Sequence, residues 1–397
     1  MPPAATSTAA GAAKDSGPAS ASSTTADSKD SRPPKFPTHN TPRVWFLTAA
    51  SSPIGVALAR HLLSHGDFVI AGVAPGHFSN TGDVPSDTAY DEDFATLLSE
   101  IAADATRRTH LRVVALNPRS MAQCQSAMAE ALVAFERVDI LVCCSSFCAV
   151  GSVEELAATE ASRMAVRDLF EVNFFSAVNI IKAALPSFRA ARNGHIIVLT
   201  GISGHLGTPG LGLYCASQWA IEGYCDSLAY EVAPFNIRTT IVQPHVEIGV
   251  LTNRIVSAPP MACYGAEANG APLFRDLLSG LLDKLEGRDT EESLAENSED
   301  GRGPSTGDLL HQDRVANVWA PLGKILKERL VAETVHAVAA IGGHDNPPSR
   351  HIVGHEGVAS VKEKLKTVSE ELEDFVEISA AVDIGKDDAP VTVLTAP

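Results

Sequence analysis

The sequence predicts an α/β fold in which a doubly wound parallel sheet of about seven strands carries helices on both faces. From residue 43 onward, apolar runs of strand length alternate with segments of helical period, which is the pattern of such a sheet. The strand candidates are continuously apolar, as expected for strands that are covered on both faces. They are 43–48, 68–73, 111–116, 138–143, 195–200, 237–243 and 351–353.

The helical segments between the strands each carry an apolar face. In 53–65, for example, Ile54, Leu58 and Leu62 repeat at helical spacing. The other predicted helices are 93–104, 121–135, 162–185, 214–232, 325–341 and 358–376. Because ligands of doubly wound sheets bind outside the carboxyl ends of the strands, the residues that follow each strand form the candidate site.

Composition divides the chain into a disordered N-terminal tail, one folded domain at 43–382 with a disordered insertion, and a C-terminal tail. Residues 1–42 are rich in Ala, Ser, Thr and Pro and carry charges of both signs. Residues 286–310 are acidic, contain Gly, Pro and Ser, and lack an apolar period, which predicts a disordered insertion. Residues 383–397 are predicted to be a C-terminal tail.

The bulk composition indicates a soluble globular protein, and we expect it in the cytoplasm. Of 397 residues, 45% are hydrophobic and 20% are charged. No apolar stretch approaches the roughly 20 residues that cross a bilayer, and 1–42 lacks the apolar segment of a secretory signal. The net charge of -17 offers no basic surface, so neither a membrane span nor a nucleic-acid partner is expected.

The seven cysteines predict buried free thiols. Their number is odd and they are scattered through apolar segments, which is not the spacing of a disulfide framework. Cys143 and Cys144 are adjacent at the end of a strand and should therefore point to opposite faces of the sheet. With Cys148 they lack a second pair at zinc spacing, so we expect no metal site.

The first strand leads directly into a turn with the sequence TAASSPIG, from Thr48 to Gly55, and then into a helix. Backbone N–H groups at such a helix start can hold a pyrophosphate. Ser52 is a suitable N-cap, and Pro53 is acceptable as the first helical residue because its missing N–H has no helical partner there. The candidate cofactor-binding residues in this turn are Thr48, Ser51, Ser52, Ile54 and Gly55.

The segment from Gly194 to Pro244 carries the most specific pattern. It contains HIIVLTGISG and then PGLGLYCASQWAIEGYCDSLAYEVAPFNIRTTIVQP, and together with the first turn it resembles the short-chain dehydrogenase/reductase family over roughly 43–382. The resemblance implies a Rossmann-type fold and NAD or NADP as cofactor. It also implies that an active member would interconvert a small alcohol and a carbonyl, with a retinol-, steroid- or keto-lipid-like substrate.

The sequence departs from the family's cofactor motifs. Ala49 and Pro53 replace the first two glycines of the family turn T-G-x-x-x-G-x-G, and the tetrapeptide 143–146 replaces N-N-A-G. No acidic or basic residue follows the second strand to select NAD or NADP. By resemblance, Asn117 lies where the family contacts adenine, and the resemblance assigns Ser145, Ser146 and Gln218 to the cofactor site. We therefore expect weakened cofactor binding with an open preference.

The family's catalytic tetrad is half present. The resemblance assigns the proton-transferring Tyr to Tyr214 and the Asn to Asn173, but the Lys position is Gln218 and the Ser position is Gly201. Residues i and i+4 share a helix face, so the missing ammonium would have lain near the phenol and lowered its pKa. Two nearby hydroxyls, Ser203 and Thr200, are candidate substitutes for the serine.

Two hypotheses follow from these changes. In the first, the chain is a catalytically impaired family member that keeps the fold for binding, regulation or pairing, and Tyr214 is only a helix-start aromatic. In the alternative, it is an active NAD(P)(H)-dependent oxidoreductase with Tyr214 as the acid/base. The resemblance also implies a homodimer, or a heterodimer with a relative, through 162–185 and 214–232. His195, His205 and His245 are expected at strand ends near the cleft, mainly as packing or hydrogen-bonding groups.

Overall fold

The computed structural model describes residues 41–75, 88–251, 255–264, 323–342 and 344–380. These residues lie in one compact unit. The predicted insertion 286–310, the tail 383–397 and nearly all of the tail 1–42 lie outside the described residues.

Nine strands run through the residues that the structure describes. In chain order they are β1 Val44–Leu47, β2 Phe68–Val73, β3 Leu111–Ala115, β4 Ile140–Cys143, β5 Cys148–Val150, β6 Gly194–Leu199, β7 Ile237–Pro244, β8 Ile255–Ser257 and β9 Arg350–Val353. Seven of them form a parallel sheet in the order β3-β2-β1-β4-β6-β7-β9. This confirms the predicted fold class and all seven predicted strands, with bounds that shift slightly.

The strands β5 and β8 form a second, two-stranded parallel sheet that the sequence analysis missed. Each has three residues, which is too short for a period to register. Because β5 follows β4 and β8 follows β7 in the chain, this small sheet lies at the carboxyl edge of the large one. It therefore adjoins the region where the candidate site was predicted.

The helices lie between the strands as predicted. They are α1 Pro53–Ser64, α2 Thr88–Ala102, α3 Ala105–His110, α4 Met121–Phe135, α5 Glu155–Ala158, α6 Glu160–Phe170, α7 Ser176–Ala191, α8 Gly212–Val232, α9 Lys324–Gly342, α10 His355–Asp374 and α11 Val376–Ala380. A π-helical turn, Glu171–Phe175, joins α6 to α7. The predicted end of this long helix at residue 185 is wrong. Pro186 removes one ladder bond, but buried Ala184 and Phe188 hold the turn against the core on both sides.

The core has one apolar layer on each face of the large sheet and a third cluster at its carboxyl edge. Cys143 lies in one layer and Cys144 in the other, which confirms that the two side chains point to opposite faces. The third cluster combines β5, β8 and parts of α6 and α8, and includes Tyr214. Six cysteines are buried as predicted, but Cys263 is exposed. Across the described ranges, no group of three or more His, Cys, Asp or Glu could hold a metal ion.

One described stretch, Glu160–Ala191, is long and apolar enough to cross a membrane by length and composition, and its most apolar window has a mean hydropathy of 1.2. The sequence analysis found no such stretch and needs correction on this point. Core helices of soluble proteins pass the same criterion, and 39% of the most apolar window is buried inside the protein. Ile180, Ile181 and Phe188 from this stretch pack into one core layer.

Candidate functional site

The turn after β1 keeps the geometry of a helix start that could receive a phosphate. Ser52 caps α1 by accepting a hydrogen bond from Gly55 N at 3.0 Å, and its hydroxyl donates to the carbonyl of Ala49 at 2.7 Å. A Cβ at Gly55 would lie 2.2 Å from that carbonyl oxygen, so only glycine fits this close approach. Ile54 is fully buried and anchors the helix start in the core. The turn therefore forms without the two missing glycines.

Thr48 joins the turn to the segment after β4. Its Oγ1 accepts a hydrogen bond from Cys144 N at 3.0 Å and lies 3.3 Å from Ser145 Oγ. A cavity of about 10 Å³, with room for about one water, lies beside this contact and is also lined by Asn173. A threonine hydroxyl thus connects two strand ends of the sheet at this position.

Three further candidate cofactor residues either make local hydrogen bonds or are buried. The Oδ1 of Asn117 accepts a hydrogen bond from Arg119 N at 3.1 Å. The backbone N–H of Asn117 donates to Gln123 Oε1, so Asn117 shapes the turn before α4. Ser51 is largely buried beside the N-cap, at 9% exposure. Gln218 is buried on α8, one helical turn after Tyr214.

Asn173 lies in the π-helical turn, and both the oxygen and the nitrogen of its side-chain amide form hydrogen bonds. Its Oδ1 accepts from Phe147 N at 2.8 Å, while Nδ2 donates to Phe147 O at 2.9 Å and to Ser217 Oγ at 3.0 Å. Ser217 in turn donates to the carbonyl of Tyr214 at 2.7 Å. The side chain therefore ties the segment between β4 and β5 to the first turn of α8, and the structure brings Asn173 and Tyr214 into one network.

Tyr214 is fully buried in the third apolar cluster, among residues such as Phe147, Leu211 and Ile248. Its hydroxyl makes no hydrogen bond within the described residues. Burial raises the pKa of the phenol well above its usual range, and the charge of Glu247 raises it further. The hydroxyl of Ser146 opposes this shift, although neither hydroxyl has a hydrogen-bond partner of good geometry in the described ranges.

The space beside Gly201 is filled by Glu247, a residue that the sequence analysis missed. A Cβ at Gly201 would lie 2.3 Å from Glu247 Cδ and 2.7 Å from its Oε1. Glu247 is 6% exposed, and its Oε1 accepts from Ser203 N at 3.3 Å. Burial raises the pKa of this carboxyl to about 7, with the side chain and N–H of Ser203 opposing the shift. The only sequence signal was an acidic residue within an apolar stretch three positions after Pro244.

The two candidate substitutes for the serine have different surroundings. Thr200 Oγ1 donates to Glu222 Oε1 at 2.9 Å, so its proton is committed to a second buried acid. Ser203 is 3% exposed, and its Oγ has no hydrogen-bond partner in the described part of the chain. Of the two hydroxyls, Ser203 is the one beside Glu247.

The histidines do not share one cleft. His195 lies at the amino end of β6, where it is buried and hydrogen-bonds Thr240 Oγ1 through Nε2 at 2.9 Å. The expectation that it lies near the cleft is therefore wrong. His205 hydrogen-bonds Gln243 Oε1 through Nε2 at 3.1 Å. His245 packs on the turn before α10, because a Cβ at Gly354 would lie 2.3 Å from its Nδ1.

Comparison with known proteins gives a consistent set of relatives. The family model described as short chain dehydrogenase matches residues 84–254. An oxidoreductase of Botryotinia fuckeliana is 28% identical over 51% of this chain and 65% of that protein. Human retinol dehydrogenase 8 is 33% identical over 40% of this chain and 48% of the relative. Mouse 17-beta-hydroxysteroid dehydrogenase type 1 is 31% identical over 42% of this chain and 47% of the relative.

The matched region thus spans between about half and two thirds of the length of these curated relatives. Among solved structures, a short-chain dehydrogenase from Streptomyces avermitilis has a TM-score of 0.58 at 23% identity, covering 86% of this chain and all of that one. This likeness concerns the fold. The family model, which covers less than half of this chain, and the partial matches to the relatives agree with the resemblance to the short-chain dehydrogenase/reductase family, and the seven-stranded parallel sheet agrees with its fold.

Proposed function

We propose that this chain is a catalytically impaired member of the family, which uses the fold to bind a small molecule, to regulate or to pair with a relative. One observation carries the proposal. The phenol of Tyr214 is completely buried beside an acid and has a neutral glutamine, Gln218, where the family has a lysine.

The chemistry of the family explains why this arrangement opposes turnover. A phenol that exchanges a proton with an alcohol or carbonyl works best when its pKa lies near the working pH. Burial and the nearby Glu247 both move the pKa of Tyr214 upward, and each unit corresponds to about 1.4 kcal/mol. The side-chain space at Gly201 is also filled, so no hydroxyl at that position orients a substrate oxygen.

The cofactor site has two unequal parts. The capped turn would hold a pyrophosphate through the first-turn N–H groups of α1, with Thr48, Ser51, Ser52, Ile54 and Gly55 around it. Asn117, Ser145, Ser146 and Gln218 would line the remainder. A bound NAD or NADP would supply hydride chemistry. The extra Cβ atoms of Ala49 and Ser146 are the basis for proposing that binding is weaker than in an active member, and no metal takes part.

Steady-state assays on the purified chain test the proposal. NADPH and NADH are each offered with retinal, a steroid ketone and a keto-lipid, and the family relative from mouse serves as the positive control. We expect turnover below detection with all six combinations. Turnover at ordinary enzyme rates, about 1 per second or more, would overturn the proposal.

An active oxidoreductase is the second candidate, and one observation favours it. Three buried hydroxyls, those of Tyr214, Ser203 and Ser146, lack hydrogen-bond partners in the described ranges, and a substrate oxygen could engage them. This candidate requires that Tyr214→Phe abolish any turnover that is found. Turnover that survives this substitution would exclude Tyr214 as the acid/base.

We also propose that the protein forms a dimer through the helices at 162–185 and 214–232. We expect this dimer in the cytoplasm. Phe175 in the π-helical turn and Trp219 and Tyr230 on α8 are large side chains exposed by 46%, 54% and 85%. Aromatic side chains in such positions are common at interfaces. Sedimentation of the full chain is expected to give a dimer, and a monomer at all concentrations would contradict homodimerisation.

A further inference from the structure

Two buried glutamates flank the short 3-10 turn Ile202–Gly204, and only one of them is neutralised. Glu222 accepts hydrogen bonds from Thr200 Oγ1 at 2.9 Å and Gln243 Nε2 at 2.7 Å, and forms an ion pair with Arg350 at 3.5 Å. Within the described residues Glu247 has no cation partner. It accepts a hydrogen bond of 3.3 Å from Ser203 N, and the Ser203 side chain and the N–H of Glu247 also favour its charged form. A buried carboxylate is costly without a compensating cation. Of the two glutamates, Glu247 is therefore the one whose negative charge is not compensated.

Among the described residues, the titratable groups that interact electrostatically with Glu247 are all acids. They are Tyr214, Cys215 and Glu222 on α8, and Cys148 on β5. The position one turn after the phenol is the neutral Gln218. The charge of this centre is therefore the reverse of the family arrangement, in which an ammonium lies beside the phenol.

Two buried hydroxyls that lack a hydrogen-bond partner of good geometry in the described residues interact with the same carboxyl. Ser203 Oγ, at 3% residue exposure, and Tyr214 Oη, at 0%, make no hydrogen bond within the described residues. Hydroxyl oxygens accept as well as donate, so their lone pairs add to the two carboxylate oxygens. A buried polar atom without a partner costs about 1–3 kcal/mol, and a group of them usually marks a water, an ion or a ligand.

We propose that the centre formed by Glu247, Tyr214 and Ser203 binds its ligand through a protonated amine. An ammonium supplies both the positive charge and the N–H donors that this set of oxygens lacks. A carbonyl oxygen supplies neither and would face a carboxylate. The inference rests on the proposed function, since it names the ligand class of a centre that no longer reduces carbonyls.

Calorimetric titration of the full chain at pH 8.5 tests the inference with matched probes. Cyclohexylamine, cyclohexanol and cyclohexanone have the same ring and differ in the polar group. We expect cyclohexylamine to bind at least about tenfold more tightly than the two neutral probes, as an added buried charge pair of about 1.4 kcal/mol would give. Between pH 8.5 and pH 6 the affinity for the amine should fall about tenfold, because Glu247 becomes protonated while the amine stays charged.

Two substitutions separate the proposed site from other acids. Glu247→Gln keeps the shape and should remove the preference for the amine, whereas Glu222→Gln, at an acid already paired with Arg350, should retain it. Thermal unfolding of both variants checks that they fold, and if Glu222→Gln does not, the exposed acid in Glu160→Gln takes its place as control. Equal binding of the three probes, or an unchanged preference in Glu247→Gln, would overturn the inference. If potassium chloride stabilises the protein in thermal unfolding as much as cyclohexylamine does, the site binds an inorganic cation and the inference of an amine is overturned.

The outcome is distinguishable from failure of the proposed function. Turnover of a carbonyl with NADPH or NADH would overturn the proposed function whatever the amine binding is. Absence of an amine preference would overturn the present inference even if no carbonyl is turned over.

Discussion

The two halves of the carboxyl edge of the sheet have changed in different ways. At the end of β1, the missing glycines are compensated locally, because Ser52 caps α1 and Gly55 still permits the close contact with Ala49 O. At the ends of β6 and β7, the missing serine and lysine are accompanied by a buried acid, Glu247, brought from a distant part of the chain. The first half preserves a binding geometry, whereas the second reverses the charge of the centre.

The largest effect is expected in the contribution that Glu247 makes to the pH dependence of stability. Its pKa in the folded protein is about 7, above the value of an unfolded glutamate, so the folded state prefers the protonated form. Stability should therefore fall as the pH rises from about 4.5 through 7, by about 3 kcal/mol from this group. Urea unfolding at pH 5 and pH 8 has to compare the original chain with a variant at 247, because burial lowers the pKa of His195 to about 3 and this group contributes in the opposite direction over the same range.

Glu247→Gln is the control for this pH dependence, because the amide does not ionise. Relative to the original chain, the variant should gain stability as the pH rises from 5 to 8, and it should be the more stable of the two at pH 8. The same pH dependence in both proteins would show that Glu247 does not contribute, and that the two halves differ less than their geometry indicates.

In the cofactor half, Gly55→Ala should be strongly destabilising. The added Cβ would meet the backbone of Ala49 and Ala50, which cannot move without displacing β1 or α1. Overpacking of this kind costs about 1–3 kcal/mol, and a backbone contact places this case near the upper end. Gly223→Ala on α8 is the matched control, since nothing lies within 4 Å of its Cβ and alanine favours a helix. Chemical denaturation of the two variants gives the comparison, and equal stabilities would refute the tight turn.

In the catalytic half, Gly201→Ala should cost about 2 kcal/mol, because its Cβ meets the side chain of Glu247. Glu247→Ala should relieve this cost, so the double variant should be more stable than the sum of the two single changes. A coupling of about 1 kcal/mol or more in urea unfolding supports the contact. If the effects of the two single substitutions add to within about 0.3 kcal/mol, the side chain of Glu247 can move away from residue 201 without a cost in stability.

The smallest effect is expected for Tyr214→Phe. The substitution removes a buried hydroxyl that lacks a partner and leaves the aromatic ring in place, so the free energy of unfolding should change by less than about 1 kcal/mol, in the stabilising direction. Thermal unfolding measures it. A loss of about 2 kcal/mol would mean that the phenol forms a hydrogen bond that helps hold the centre together.

The sequence was sufficient for elements whose signal is local. The seven strands of the large sheet were predictable because each is a continuous apolar run, and the helix start because Ser52 and Pro53 are adjacent to it. The strands β5 and β8 were missed because three residues carry no period. Glu247 was missed because its significance depends on a contact with Gly201, which is distant in the chain.

The contact between Gly201 and Glu247 also dictates the order in which a proton-transfer site could be built into this protein. A serine at 201 has no room until residue 247 is shortened, and the acid that raises the pKa of the phenol remains until then. An engineering route should therefore begin at 247 and only then alter 201 and 218. Intermediates made in the reverse order would carry a steric or electrostatic penalty at each step.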